Sequence, residues 1–286
     1  MSILRVPVPH IRIGKRTLKV AWPKVAKSVA GVTITALLWG DPHFPNQDDL
    51  ALKVVAAIAK DVQPDMLCFM GDGVDATDLS VKFKKNPARK ETLQDEINMC
   101  RAHLVQMRVL CPDAQFIYLE GNHEERLTRV LWDMEGPARV LSLLTDVQKV
   151  LTWPYLLGLE EMGIEFVPYN KQSKRMFLPK FLLKHGNVVR TKSAYTANAE
   201  HTKYGMSGAS GHTHRLAQFY HRDHNGNHVW LETGCTCSLE PEYTPDPDWQ
   251  NGCVVLTLHR DTGAFQAESI YIHKGNAVFR GKEYTA

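Results

Sequence analysis

The sequence contains no uninterrupted apolar run of about 18 residues, so it offers no membrane-spanning helix. Its first residues, Met1 to Pro9, lack the apolar stretch of a secretory signal. No C-x-x-C pair occurs among Cys68, Cys100, Cys111, Cys235, Cys237 and Cys253, and six cysteines in 286 residues do not make a disulfide framework. These absences point to reduced thiols in a cytoplasmic protein, packed as small core residues, with Cys235 and Cys237 as alternate positions of a strand. Internal repeats, low-complexity segments and a linker rich in Pro, Gly or Ser are also missing. The chain therefore reads as a single folded domain over residues 31–286. Acidic residues are absent before Asp41, although Arg5, Arg12, Lys15, Arg16, Lys19, Lys24 and Lys27 all lie there. Residues 1–30 are expected to form a basic N-terminal extension.

The hydrophobic share, 44%, is enough for a sizeable core. Val32 to Trp39 is a β-branched, apolar run that stops at Gly40-Asp41-Pro42, the pattern of a buried strand. Asp48 to Lys60 has a helical period, and Met66 to Met70 after Pro64 is a second buried strand. Ser80 to Lys90 is a polar loop carrying Lys82, Lys84, Lys85, Arg89 and Lys90, a second basic segment. Glu91 to Leu110 is helical and stopped by Pro112; Gln115 to Leu119 is a third strand; Glu125 onward is helical again. Alternation of this kind implies a sheet with crossover helices. Further strands are expected at Glu165–Val167, Phe177–Lys184, Val229–Leu231, Gly252–His259 and Ala267–His273, with a hairpin turn at Asp261-Thr262-Gly263. Pro241 to Asp248 reads as a long surface loop.

The informative residues stand at the ends of those strands. Asp41-Pro42-His43 follows the first, Gly71-Asp72-Gly73-Val74-Asp75 the second, and Gly121-Asn122-His123-Glu124 the third. In open α/β sheets, ligands bind in the crevice beyond the carboxyl ends of the strands. Lys184-His185-Gly186 and Gly211-His212-Thr213-His214 come later, and H-x-H sets two imidazoles on one side of an extended or turned segment. Each piece alone is an ordinary turn; all five in this order are hard to obtain by chance. Carboxylate, imidazole and amide oxygen together suit Mn²⁺, Fe or Zn²⁺ better than Ca²⁺. A phosphate ester resists attack because it is anionic, and two close cations offset that charge, activate water and stabilise the leaving oxygen. Asp72, central in order, is the candidate bridge between them. His221, His224 and His228 lack a matching carboxylate spacing and are expected to be exposed hairpin histidines.

The same motifs, D-x-H, G-D-x-x-D, G-N-H-[DE], a later His and G-H-x-H, resemble the calcineurin-like metallophosphoesterase superfamily from about Asp41 to His214. The resemblance implies a four-layer α/β/β/α sandwich with two mixed β-sheets. It implies two divalent ions, Mn²⁺ first with Fe or Zn²⁺ as alternatives. One would be held by Asp41, His43, Asp72 and His214, and the other by Asp72, Asn122, His185 and His212. His201 is the rival to His185. His123 would contact the phosphate and protonate the leaving oxygen, with Asp75 orienting it. Ala76 stands where serine/threonine protein phosphatases carry a phosphate-clamping Arg, a departure that argues against that subgroup. Repair nucleases of the SbcD type lack that Arg too. Gly121 to Leu127 and Trp249-Gln250-Asn251-Gly252 also look like phosphoesterases of phages and prophages.

The expected activity is hydrolysis of phosphodiester bonds, with nucleic acid as substrate drawn in by the two basic segments. The alternatives are a phosphomonoesterase or small-nucleotide phosphodiesterase, and a catalytically silent binding module. The intact ligand set argues against the last.

Overall fold

The computed structural model describes residues 32–80, 87–174, 178, 180–241 and 244–286, and the backbone of residues 11–13 and 16–18. That backbone is a short antiparallel ribbon of β1 (Ile11–Ile13) and β2 (Arg16–Leu18). The remainder of the expected basic extension, and Lys82, Lys84 and Lys85 of the second basic segment, lie outside the described residues.

The first half alternates as its apolar pattern requires. β3 (Thr33–Trp39) leads to α1 (Asp49–Val62), then β4 (Met66–Phe69), α2 (Leu93–Leu110) and β5 (Gln115–Leu119). Asp48 caps α1 by accepting from the N–H groups of Leu50 and Ala51 at 2.9 and 3.0 Å. Thr92 and Asp95 form a capping box at the start of α2. Four short helices follow: α3 (Glu125–Trp132), α4 (Gly136–Ser142), α5 (Thr145–Val150) and α6 (Trp153–Leu156). The chain then runs through β6 (Ile164–Val167), β7 (Phe181–Lys184), α7 (Tyr195–Tyr204) and β8 (Ser207–Ser210). The hairpin β9 (Leu216–Asp223) and β10 (Gly226–Thr233) precedes β11 (Gly252–His259), β12 (Phe265–Tyr271), β13 (Asn276–Phe279) and β14 (Lys282–Thr285).

Two mixed sheets result. The larger has the order β12-β11-β3-β4-β5-β6, with β3 to β6 parallel and β11 antiparallel to β3. The smaller has the order β7-β8-β10-β9, in which β7, β8 and β10 are parallel and β9 is antiparallel to β10. Side-chain alternation sorts their residues into layers. On β3, Leu37 and Trp39 face α1 and α2, whereas Ile34, Ala36 and Leu38 face the second sheet. Met66, Cys68 and Met70 meet Phe181, Leu183, Val229 and Leu231 in that middle layer. Trp230 and Leu182 point the other way, under Ala197 of α7. Helix, sheet, sheet, helix is the four-layer sandwich the sequence implies.

All six cysteines are buried and unpaired, as core residues. Phe177 and Pro179 of the expected strand before His185 lie outside the described residues; Leu178 bridges to Phe181. Pro241 to Asp248 carries no helix or strand among its described residues. No helix among the described residues is long and apolar enough to cross a membrane.

Candidate metal centre

Five parallel strands from the two sheets end at one crevice. β3 delivers Asp41 and His43, β4 delivers Asp72 and Asp75, and β5 delivers Asn122 and His123. From the other sheet, β7 delivers His185 and β8 delivers His212 and His214. The backbone there is held in a costly conformation. Asp41, His43, Asp72, His212 and His214 have φ of 53°, 50°, 49°, 69° and 59°. Each such residue costs on the order of 1 kcal/mol and persists only where its surroundings enforce it. Asp41 N–H donates to Gly71 O at 2.9 Å, His43 N–H to Asp72 O at 3.1 Å, and His212 N–H to the Asp41 carboxylate at 3.1 Å. These bonds tie the strand ends to each other.

The side chains converge in overlapping groups, one of which brings ligand atoms of His43, Asp72 and His123 within 4.8 Å. Ligand atoms of Asp41, His43 and His214 lie within 4.8 Å of one another, and so do those of Asp72, His185 and His212. Asn122 Oδ1 is 3.1 Å from His185 Nε2, which is 3.3 Å from Asp72 Oδ2. Asp72 Oδ2 also lies 3.6 Å from His43 Nε2, so it stands between the groups. His201, the rival to His185, sits on α7 and packs against His221 and His228 on the outer face of the second sheet, away from the crevice.

Ring orientation bears on whether divalent ions fit. His185 Nδ1 lies 2.8 Å from Met70 O, so Nδ1 carries a proton, and Nε2 faces the oxygens of Asn122 and Asp72. Nε2 can meet those oxygens as a protonated donor, or as a ligand to a cation that takes the proton's place. Burial and neighbouring imidazoles push His212 and His214 down to about 3, so both rings are neutral at physiological pH. Burial raises Asp41 to about 7 even with His185 beside it, and His185 itself rises to about 9 because Asp72 and Asp41 outweigh its burial. Buried carboxylates crowded among imidazoles are what divalent ions would compensate.

Beside this set stands His123. Its Nδ1 is 2.8 Å from Asp75 O and 3.2 Å from Asp75 Oδ1, leaving Nε2 on the Asp72 side at 3.9 Å. Burial works against its protonation, but Asp72 and Asp75 more than offset this and its pKa is raised.

Several residues around the site escaped the sequence reading. Glu124 is fully buried and accepts from the N–H groups of Asp72, Gly73 and Gly121 and from the Tyr118 hydroxyl, at 3.1, 2.7, 2.9 and 2.6 Å. It therefore shapes the loop that presents Asp72. Gly121 is required for the same fit: a Cβ there would meet the Asp72 side chain. Arg89, expected on a basic surface, turns inward to Asp75 at 3.3 Å and to Glu96. Glu96 in turn accepts from the N–H of the buried Ala76 at 2.6 Å. Arg126 donates to Asp75 O at 2.7 Å and lies 3.0 Å from His123 Nε2. The spacing of Glu124 and Arg126 from His123 was the available signal; the partners of Arg89 were not visible in sequence.

The Trp249-Gln250-Asn251-Gly252 segment supports the H-x-H turn. Gln250 N–H donates to His214 O at 2.9 Å, Asn251 Nδ2 donates to Cys237 O at 2.7 Å, and the Trp249 ring meets His214 edge-on at 4.2 Å. Cys235 and Cys237 fall on the same side, as alternate positions must, with Cys237 Sγ 3.9 Å from His214 Nδ1.

The expectation for the hairpin histidines needs correction. His221 and His224 are exposed, but His228 is half-buried against His201 and pairs with Asp223 at 3.1 Å. The carboxylate comes from the hairpin itself, one residue before His224, a register that β9 and β10 fix by pairing His228 with His221.

With this fold and this crevice, the chain belongs to the calcineurin-like phosphoesterase family, whose model matches residues 34–246. Its class is that of metal-dependent ester hydrolases acting on phosphate. Among curated relatives it is similar to the gene 54 protein of Mycobacterium phage L5, 25% identical over 231 residues, covering 76% of this chain and 86% of the relative. Among solved structures it is similar to vacuolar protein sorting 29 of Cryptosporidium parvum (TM-score 0.40, 13% identity, 89% of this chain and 96% of that one). It is also similar to Yfce, a phosphoesterase from E. coli (TM-score 0.35, 11% identity, 82% and 98%).

Proposed function

We infer that this chain is a two-metal phosphodiesterase acting on nucleic acid. The convergence of Asp41, His43 and His214 beside Asp72, His185 and His212 carries the reading. Asp41, His43, Asp72 and His214 would hold one ion and Asp72, Asn122, His185 and His212 the other, a mixed donor set that would suit Mn²⁺. When bound, the ions supply charge neutralisation of the phosphate and a water activated for attack.

The chain's own residues supply the rest. Asp72 joins the two groups from one carboxylate. His123 presents Nε2 to the leaving oxygen and donates the proton, because Nδ1 is committed to Asp75. Asp75 fixes the ring through both its carbonyl and its carboxylate. Glu124 keeps the Asp72 loop in its strained shape.

Support for nucleic acid comes from charge. Seven basic residues and no acidic one precede Asp41, and residues 1–30 form an extension to the phosphoesterase domain at 31–286. The test is a substrate panel with Mn²⁺: linear duplex, single strands, nucleoside monophosphates, cyclic nucleotides and a nitrophenyl diester. Preference for duplex or single strands, weakened by salt, supports the reading. Preference for a mononucleotide or cyclic nucleotide replaces it with the small-substrate alternative.

A further inference from the structure

Arg126 is placed one helical turn past His123, on the first turn of α3, with its half-buried side chain folded back onto the crevice. Nη1 is anchored to Asp75 O at 2.7 Å, and Nη2 lies 3.0 Å from His123 Nε2, the nitrogen on the Asp72 side. The acceptors of these two bonds are neutral, a carbonyl and an imidazole. Arg89 approaches Asp75 from another side and meets Asp75 and Glu96. Of the two arginines at Asp75, Arg126 is the one whose guanidinium edge reaches the nitrogen that faces the crevice.

A phosphate ester within hydrogen-bond reach of His123 Nε2 is also within reach of Arg126 Nη2, because the two atoms are neighbours. An anionic oxygen is a better acceptor for guanidinium than an imidazole nitrogen. Nη2 can exchange one for the other while Nη1 stays on Asp75 O.

We propose that Arg126 binds a non-bridging oxygen of the substrate phosphate, taking it over from His123 Nε2. The proposal rests on the phosphoesterase reading and adds to it the residue that grips the phosphate. Arg126 then acts on phosphate binding.

The experiment measures affinity of the Mn²⁺-loaded protein for inorganic phosphate by calorimetry, beside bound-metal content and hydrolysis of a nitrophenyl diester. Arg126→Ala is expected to weaken phosphate binding about 10- to 100-fold, the range of one charge-assisted hydrogen bond. It is expected to raise KM and leave metal content unchanged. Arg126→Lys should recover part of the affinity, as a charge without the fork. Arg126→Gln keeps neutral donors toward Asp75 and His123, so it guards against a folding defect, and its phosphate affinity must still fall. Unchanged phosphate affinity in Ala and Gln variants, with kcat alone reduced, would overturn the proposal and make Arg126 a prop for His123. Wild-type protein that binds phosphate but hydrolyses no ester would overturn the phosphoesterase reading instead, and loss of phosphate affinity in Arg126→Ala would still support the assignment.

Discussion

Two groups of histidines lie in this molecule, and they are built differently. In the crevice, His43, His123, His185, His212 and His214 stand at the ends of strands, several on left-handed backbone, with Asp41 and Asp72 buried among them. On the outer face of the second sheet, His201, His221 and His228 bring their rings to centroid distances of 4.8 and 5.1 Å, which is no farther apart than His185 and His212 at 5.2 Å. Ring proximity therefore does not distinguish them. The outer rings spend nitrogens on local bonds, His201 on Met206 O and His228 on Asp223. The crevice rings turn nitrogens toward each other and toward buried carboxylates, so their charge states are tied together.

The difference can be broken most severely at Asp72. Asp72→Asn is expected to abolish turnover, because one carboxylate serves both groups, and wild-type rates in the purified variant would end the two-metal account. His123→Ala is expected to lower kcat about 10²- to 10⁴-fold on esters with poor leaving groups, and far less on a nitrophenyl ester, with metal content near normal. Loss of an ion in that variant, seen by elemental analysis, would make His123 a ligand instead. Glu124→Gln keeps shape but removes the charge that gathers the backbone N–H groups of Asp72, Gly73 and Gly121. A loss of about 1–3 kcal/mol in denaturant unfolding is expected, with weaker metal binding because the Asp72 loop relaxes. His221→Ala sharpens the contrast from the other side: metal content and turnover should not change, and stability should stay within about 0.5 kcal/mol.

Most of the crevice was legible in sequence because Asp41, His43, Asp72, Asp75, Asn122, His123 and His185 follow apolar runs that announce strand ends, whereas His212 and His214 showed only by their H-x-H spacing. The crossover half of the fold was legible for the same reason. The second sheet was less so. β8, Ser207-Gly208-Ala209-Ser210, carries small residues where a pattern search expects large ones, since a Cβ at Gly208 would collide with the Trp230 ring packed beside it. α7 buries Thr196 and Glu200 rather than an apolar stripe, and Glu200 is held by Lys184 at 2.9 Å. A buried ion pair has no periodic signature. Arg89 shows the limit for charge: its neighbours in sequence are basic, while its neighbours in space are Asp75 and Glu96. His185 was preferred to His201 in sequence because it follows an apolar strand, and the structure separates the two by layer.

The central claim is that the crevice, and not the outer cluster, holds two divalent ions. Calorimetric titration of chelator-treated protein with Mn²⁺ tests it most directly. The account predicts two equivalents per chain in the wild-type protein and in His221→Ala, and one in His212→Ala. One equivalent or none in the wild-type protein, or two retained in His212→Ala, would contradict it.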